Sequence, residues 1–378
     1  MIKSLKIIPP AFGLDISDSS LKFVQLKPKG KHYSLAFCGE AELPKGIVEG
    51  GHIIKPEELS KLLRNILSPY VKKGLSEYAM LSLPDEEVFL KTMYLPEVGE
   101  GELRNVVQVE AERNMPIQVE KTYLDYYPLK AGKYKKGQGL IPRNSEKTKK
   151  KNTNFLVAAA NKEAVDMYSE IVTEAGLTPA IIEPEVCAIG RSVIKDEYSE
   201  NPIIIAEIGA NRTRLITFLH NSVILTASAN FSADEATAPI AKAMGITEQK
   251  ARELKWDNKL LKNAEYGEKI NEALASLFYH LGESINNYLG FLNESYKGKD
   301  INVSKVEKII ISGGGAKIPG IDKQLSMILH IPVETANPWV NVLPYPLKET
   351  PELSRDESVR YTTAIGLASR GARENGIF

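Results

Sequence analysis

The stretch Ile309–Asp322, IIISGGGAKIPGID, runs from apolar strand-like residues into three consecutive glycines and then a helical pattern. Glycines at a strand end mark a place where the backbone must come very close to something else. Two familiar phosphate cradles fail on spacing. The dinucleotide pattern G-x-G-x-x-G fits at Gly313 and Gly315 but meets Ile318 where its third glycine belongs. A P-loop frame spans Gly315 to Gly320, yet Ile321 and Asp322 hold the positions that require Lys and Ser/Thr. What remains is a glycine platform at a strand end, ahead of a helix N-terminus, where α/β sheets commonly place ligands.

Two other segments carry complementary chemistry. Ala11–Leu26, AFGLDISDSSLKFVQL, reads as two strands joined by the polar turn Ser17–Ser20. The segment PIIIAEIGANRTRLITFLHNSVIL reads as a strand pair or triplet with its own turn. Asp15-Ile16 with Lys22 is echoed, about half the chain later, by Glu207-Ile208 with Arg214 at the same offset. The echo predicts two related halves. A carboxylate at a strand end, beside exposed turn N–H groups, can hold a hydrated Mg²⁺ next to a phosphate chain. Two such turns plus a late glycine loop predict nucleotide binding between two lobes.

Composition narrows the alternatives. The 378 residues exceed one simple core and predict two or more subdomains. Basic and acidic residues balance at 48 each, which argues against general nucleic-acid binding through a basic surface. Cys38 and Cys187 are the only cysteines, and the five histidines show no metal-ligand spacing, so a zinc site or disulfide framework is not expected. No apolar run approaches the roughly 18 residues that span a bilayer, and Pro9 and Pro10 interrupt the first apolar stretch. These features predict a cytoplasmic protein.

Strands alternate with helical patterns along the chain, which predicts an α/β fold. Residues 1–85 and 155–200 are assigned to a first lobe and 201–378 to a second, with 241–300 as a helical subdomain. Residues 86–154 read as an inserted β-α-β subdomain. Its helical segment carries Val106, Val107, Val109 and Met115, which either floor a peptide groove or form helix core. Residues 132–151 are lysine-rich, with Glu146 the only acid, and read as a solvated loop.

The turn GLDISDSSLK, the turn EIGANRT and the loop SGGGAKIPG resemble the phosphate-1, phosphate-2 and adenosine motifs of the actin-like ATPase superfamily. Further stretches, among them LPKGIVEGGHI, YLPEVGEGELRNVVQVEAERNMPIQVEKTYLDYYPL and YTTAIGLASR, resemble the type IV pilus assembly PilM family. The resemblance implies an actin-like fold of duplicated, ribonuclease H-like lobes with an FtsA/PilM-type inserted subdomain. It implies ATP and Mg²⁺ in the cleft between the lobes. It also implies a cytoplasmic protein brought to the inner membrane by a PilN-like partner, whose N-terminal peptide the insert would hold. Pilus motor ATPases and self-association are further partners it allows.

Carried over residue by residue, Asp15 would lie near Mg²⁺, with Ser17, Ser19, Ser20 and Lys22 around the phosphates. Glu207, also near the metal through water, would form the second phosphate turn with Gly209, Asn211 and Thr213. Gly313, Gly314, Gly315 and Lys317 would line the adenosine, and Lys255 would approach ribose and base. Three positions depart from the pattern: Glu207 replaces the usual Asp, Arg252 replaces an acid, and Asn230-Phe231-Ser232 replaces a glycine-rich turn. Hydrolysis needs a residue that orients the attacking water, and none is assigned, so the residues favour a binder over a catalyst. The rival readings are an FtsA-like division protein and a sugar or acetate kinase of the same superfamily. The chain's last residues, LASRGARENGIF, lack the amphipathic pattern of an FtsA-type anchor.

Overall fold

The first sheet grows out of Ala11–Leu26. In the computed structural model, which describes residues 10–95, 98–116, 118–129, 153–256, 266–298, 302–344 and 351–374, strand β1 (Ala11–Ile16) is buried along most of its length. It turns into β2 (Ser20–Lys29), which pairs with it antiparallel in the register Asp15↔Lys22. Strand β3 (His32–Glu42) extends this meander. The short ribbon β4 (Val48–Glu49) and β5 (His52–Ile53) leads into helix α1 (Pro56–Val71). Pro56 opens that helix, where its missing N–H would have no partner anyway. Leu59, Leu63 and Leu67 recur at helical spacing and bury one face. Strand β6 (Tyr78–Leu83) then returns parallel to β1.

The insert is a separate small sheet. Strand β7 (Val88–Leu95), helix α2 (Glu100–Asn114), strand β8 (Thr122–Leu129) and strand β9 (Thr153–Asn161) form it, in the order β7-β9-β8 with both pairings antiparallel. Val107, Ala111 and Met115 from the helical segment pack on Met93, Phe155 and Val157. Because β9 is the central strand, the insert reaches Asn161 rather than the expected residue 154. The boundary was hidden because helix α3 (Lys162–Glu174) follows β9 at once, so strand and helix look like one unit of the main lobe. The lysine-rich 132–151 lies outside the described residues.

Strand β10 (Thr178–Pro184) completes the first sheet, in the order β10-β6-β1-β2-β3. Helix α4 (Glu185–Val193) then crosses to the second lobe. There β11 (Ser199–Ile208), β12 (Thr213–His220) and β13 (Ser222–Ala229) form an antiparallel meander. Helices α5 (Thr237–Met244), α6 (Glu248–Leu254) and α7 (Gly267–Tyr296) follow. Strand β14 (Lys308–Ser312), helix α8 (Ile321–Leu329) and strand β15 (Val333–Thr335) finish a sheet ordered β13-β12-β11-β14-β15. It copies the first sheet strand for strand, with an antiparallel meander on one side and two parallel strands on the other. The register Glu207↔Arg214 repeats Asp15↔Lys22. The short sequence echo is therefore the trace of a duplicated lobe.

Helices α9 (Arg355–Ser358) and α10 (Thr362–Glu374) end the described chain. Residues 362–374 were assigned with the second lobe, yet α10 packs on β1, β2 and β6 of the first sheet and on α4. Leu367 joins Ala11, Met80 and Ala188, while Ala364, Ile365 and Ala368 join Val24 and Trp339. Helix α4 in turn sends Val186, Ile189 and Val193 into the second sheet, against Ile205, Phe218 and Ile310. The two helices thus lie between the sheets and join the lobes. Their close approach needs glycine: a Cβ on Gly366 would overlap the carbonyl oxygen of Ala188, and one on Gly13 that of Ala364.

Candidate functional site

Four strands end in an acid on the same side of the two sheets. Asp15 lies near the end of β1, Asp85 follows β6 through Pro84, Glu185 follows β10 through Pro184, and Glu207 lies near the end of β11. Carboxyl ends of parallel strands are where α/β sheets open a crevice. Asp85 and Glu185 were missed from sequence. A strand-Pro-acid signature at Leu83-Pro84-Asp85 and Glu183-Pro184-Glu185 could have found them.

Arg214 stands among these acids. Its side chain is 8% exposed, with Nη1 3.0 Å from Glu207, Nη2 2.8 Å from Glu185 and Nε 3.5 Å from Asp85. Sequence reading noted it only as part of the echo. Burial alone would lower its pKa, but Glu185, Glu207 and Asp85 together raise it, so the guanidinium is permanently charged. One cation cannot compensate every acid around it. Burial pushes the Glu185 and Asp15 carboxyls above their usual range, against the pull of Arg214 on the first and Lys22 on the second.

The first turn is internally ordered. The Ser17 N–H donates to Ser20 O at 2.9 Å, the Ser17 and Ser20 hydroxyls lie 3.1 Å apart, and Lys22 Nζ donates to Ser20 Oγ at 2.6 Å. Ser19 is exposed, and its carbonyl accepts from Leu43 N–H. In the second turn, the Gly209 N–H closes on Arg212 O at 2.8 Å. The turns meet across the cleft. Asp18 accepts from Asn211 Nδ2 at 3.4 Å and from the Gly50 and Gly51 N–H groups, and Arg212 pairs with Glu86. Thr213 is fully buried, and its hydroxyl has no partner among the described residues.

Gly313 is left-handed at φ 77°, and a Cβ there would lie 2.5 Å from Ile208 O and 2.7 Å from a Glu207 carboxylate oxygen. A Cβ on Gly315 would overlap the Ile208 side chain. The close approach at these two glycines is therefore to the second turn's own strand. Gly314 alone looks onto open space, and Lys317 closes the same short turn, half-buried.

Two expected residues are placed differently from the reading above. Glu207 does not stand free beside a metal, because Arg214 holds it. Lys255 is 1% exposed, and its ammonium donates to Ala233 O at 3.1 Å, Asp234 Oδ1 at 2.8 Å and Thr237 Oγ1 at 3.1 Å. Those three bonds use every donor a lysine has. Among the described residues, no group of three or more His, Cys, Asp and Glu side chains is placed to hold a metal ion directly. Carboxylate oxygens suit Mg²⁺, and Arg214 acts on Asp15 only through space, without the direct contact that it makes to Glu207.

The insert presents aromatic residues outward. Tyr123 and Tyr127 on β8 are 47% and 42% exposed. The Tyr123 hydroxyl donates to Asp166 of α3 at 3.1 Å, and Lys162 lies over its ring. Of the four residues considered for a groove floor, Val107 and Met115 are buried in the insert core, Val106 packs against it, and only Val109 is exposed.

A family model described as type IV pilus assembly protein PilM matches residues 13–372. The chain belongs to the PilM family. Among solved structures, a PilM–PilN type IV pilus biogenesis complex matches this PilM-family chain with a TM-score of 0.73 and 24% identity, covering 97% of this chain and 99% of that one. The ethanolamine utilization protein EutJ from Carboxydothermus hydrogenoformans gives 0.49 and 12% identity, over 96% of this chain and 91% of that one. MreB5 of Spiroplasma citri bound to ADP gives 0.49 and 14% identity, over 93% and 94%. The fold, two duplicated α/β lobes with a small inserted sheet, is shared with that PilM–PilN structure. Among the described residues, no helix is long and apolar enough to cross a membrane.

Proposed function

We propose that this PilM-family chain is an ATP-binding scaffold of type IV pilus assembly that holds the N-terminal peptide of a PilN-like inner-membrane protein. The observation that carries the nucleotide half is the pair of mirrored turns meeting across one cleft, with open space above Gly314. Lys22, the Ser17–Ser20 turn and the Gly209–Thr213 turn would hold the phosphates, and the Gly314 side of the loop would take the nucleoside. A Mg²⁺ ion entering with the nucleotide would be met by Asp15 through water. That ion supplies charge neutralisation; the chain's own residues orient the phosphates. With Glu185 and Glu207 both held by Arg214, the site supports binding better than hydrolysis.

The family supports the pilus role, and the similar PilM–PilN complex supports the partner. The face of β8 carrying Tyr123 and Tyr127 beside α3 offers a peptide an aromatic wall flanked by Lys162 and Asp166. The chain would then be cytoplasmic, reaching the membrane through its partner. Motor ATPases and self-association fit a scaffold of this kind.

Two experiments test this. Mg-ATP at a hundred times its Kd is expected to stabilise the chain by about 2.7 kcal/mol, raising its Tm by several degrees. Asp15→Ala and Gly314→Trp are each expected to abolish the rise, and a wild type that neither shifts nor binds by calorimetry defeats the nucleotide reading. Separately, the N-terminal peptide of the neighbouring PilN-like protein is expected to bind saturably. A Tyr123→Ala, Tyr127→Ala variant is expected to lose at least tenfold in affinity. No saturable binding to a folded wild type would remove the partner assignment.

A further inference from the structure

Lys255 is a fully enclosed cation behind the second turn. Its three acceptors, Ala233 O, Asp234 Oδ1 and Thr237 Oγ1, all belong to the turn that follows β13 and opens α5. That turn is fixed at its start by a capping box, in which Ser232 N–H and Oγ both donate to Glu235 Oε1, at 2.8 and 2.9 Å. Its next two residues reach the second phosphate turn. Ala233 N–H donates to Gly209 O at 3.0 Å, and Asp234 N–H donates to Ala210 O at 3.2 Å. The chain of bonds therefore runs from the end of α6, through the 233–237 turn, to the backbone of Gly209 and Ala210. On the other side, the ammonium sits 4.5 Å from the centre of the Trp256 ring, which encloses it further.

We propose that Lys255 is a positioning residue for the phosphate arm of the site and not a nucleoside contact. The proposal rests on the nucleotide reading above. An ammonium with all three donors committed has none to offer a ribose or base. What it does offer is rigidity: it fixes the peptide units whose N–H groups hold the carbonyls of Gly209 and Ala210. Those carbonyls set the tilt of the turn, and hence where the turn's own N–H groups aim. Anion recognition by backbone N–H groups depends on that aim. Removing the ammonium also leaves Ala233 O and Thr237 Oγ1 in a buried place, beside a part-exposed Asp234 carboxylate, so the turn must rearrange to satisfy them.

Calorimetry of the full chain with ATP and with inorganic triphosphate separates the two roles. In Lys255→Met, affinity for ATP and for triphosphate is expected to fall together, each by at least tenfold and within about threefold of one another. A loss confined to ATP, with triphosphate binding unchanged, assigns Lys255 to the nucleoside and overturns the proposal. So does an unchanged affinity for both, or a wild type that binds ATP but no triphosphate. Should Lys255→Met fail to fold, Thr237→Val removes one acceptor and leaves the ammonium in place. It is then expected to weaken both ligands by the same smaller factor, and a loss for ATP alone again overturns the proposal. A wild type that binds neither ligand defeats the nucleotide reading beneath it.

Discussion

Gly366→Val is expected to leave the chain unable to form its two-lobed core. A single Cβ on Gly366 overlaps the carbonyl oxygen of Ala188, so even alanine meets backbone and not a side chain that could rotate away. Helices α4 and α10 touch at this point and are each pressed against a sheet on the far side. Overpacking a close-packed interior usually costs about 1–3 kcal/mol when side chains can yield; with two backbones in contact the cost is expected to exceed about 4 kcal/mol. Soluble yield and urea unfolding measure it. Gly290 in α7 supplies the contrast, since a Cβ there meets nothing within 4 Å. Gly290→Ala is expected to stabilise by about 0.5–1 kcal/mol through helix propensity. Equal effects at the two sites would show that α4 and α10 do not touch as described.

The second large effect is expected at Glu183. This carboxylate is 4% exposed and receives both Nη atoms of Arg191, at 2.6 and 2.8 Å, together with Arg370 of α10. Arg191 also donates to Gly366 O at 3.1 Å, so one cluster joins β10, α4 and α10. Glu183→Gln leaves two guanidinium groups around a neutral amide. Breaking a buried ion pair from one side costs about 3–5 kcal/mol.

The sign of its pH dependence follows from the folded carboxyl. Burial pushes its pKa up, but the charge and hydrogen bonds of Arg191, then those of Arg370, outweigh this and bring it below its ordinary value of 4.5. A group with a lowered folded pKa contributes its stability above the unfolded pKa and loses it as pH falls through the folded one. The gap between wild type and Glu183→Gln is therefore expected to be full at neutral pH and to narrow only below pH 4.5. A gap that stays constant into strong acid would mean that packing, not charge, holds this cluster.

Much of this was legible because it is local. The turns at Ser17–Ser20 and Gly209–Thr213 announce themselves by polar residues between apolar runs, and the Asp15/Lys22 and Glu207/Arg214 offsets are the two-strand register itself. The α4 segment, EVCAIGRSV, escaped because it is short, and its charged residues Glu185 and Arg191 are engaged in ion pairs inside the molecule. The side-chain contacts of the site were less accessible. Nothing near Lys255 reveals that its ammonium turns inward, and nothing near Arg214 reveals that three acids from three other elements converge on it. Gly313 and Gly315 signalled close approach correctly, but the thing approached was Ile208, which no local pattern names.

The position of α10 also bears on the order in which the polypeptide can take shape. Strands β1 and β6 leave the ribosome well before α10, the helix that Ala11 and Met80 face. Until that helix arrives, the nascent first lobe holds an apolar face with no cover, and the contacts that close it join residues far apart in sequence. Pairings so distant in sequence slow folding and prolong exposure to aggregation. Emergence of α10, and not of the first-lobe strands alone, is then the moment at which the first lobe becomes whole.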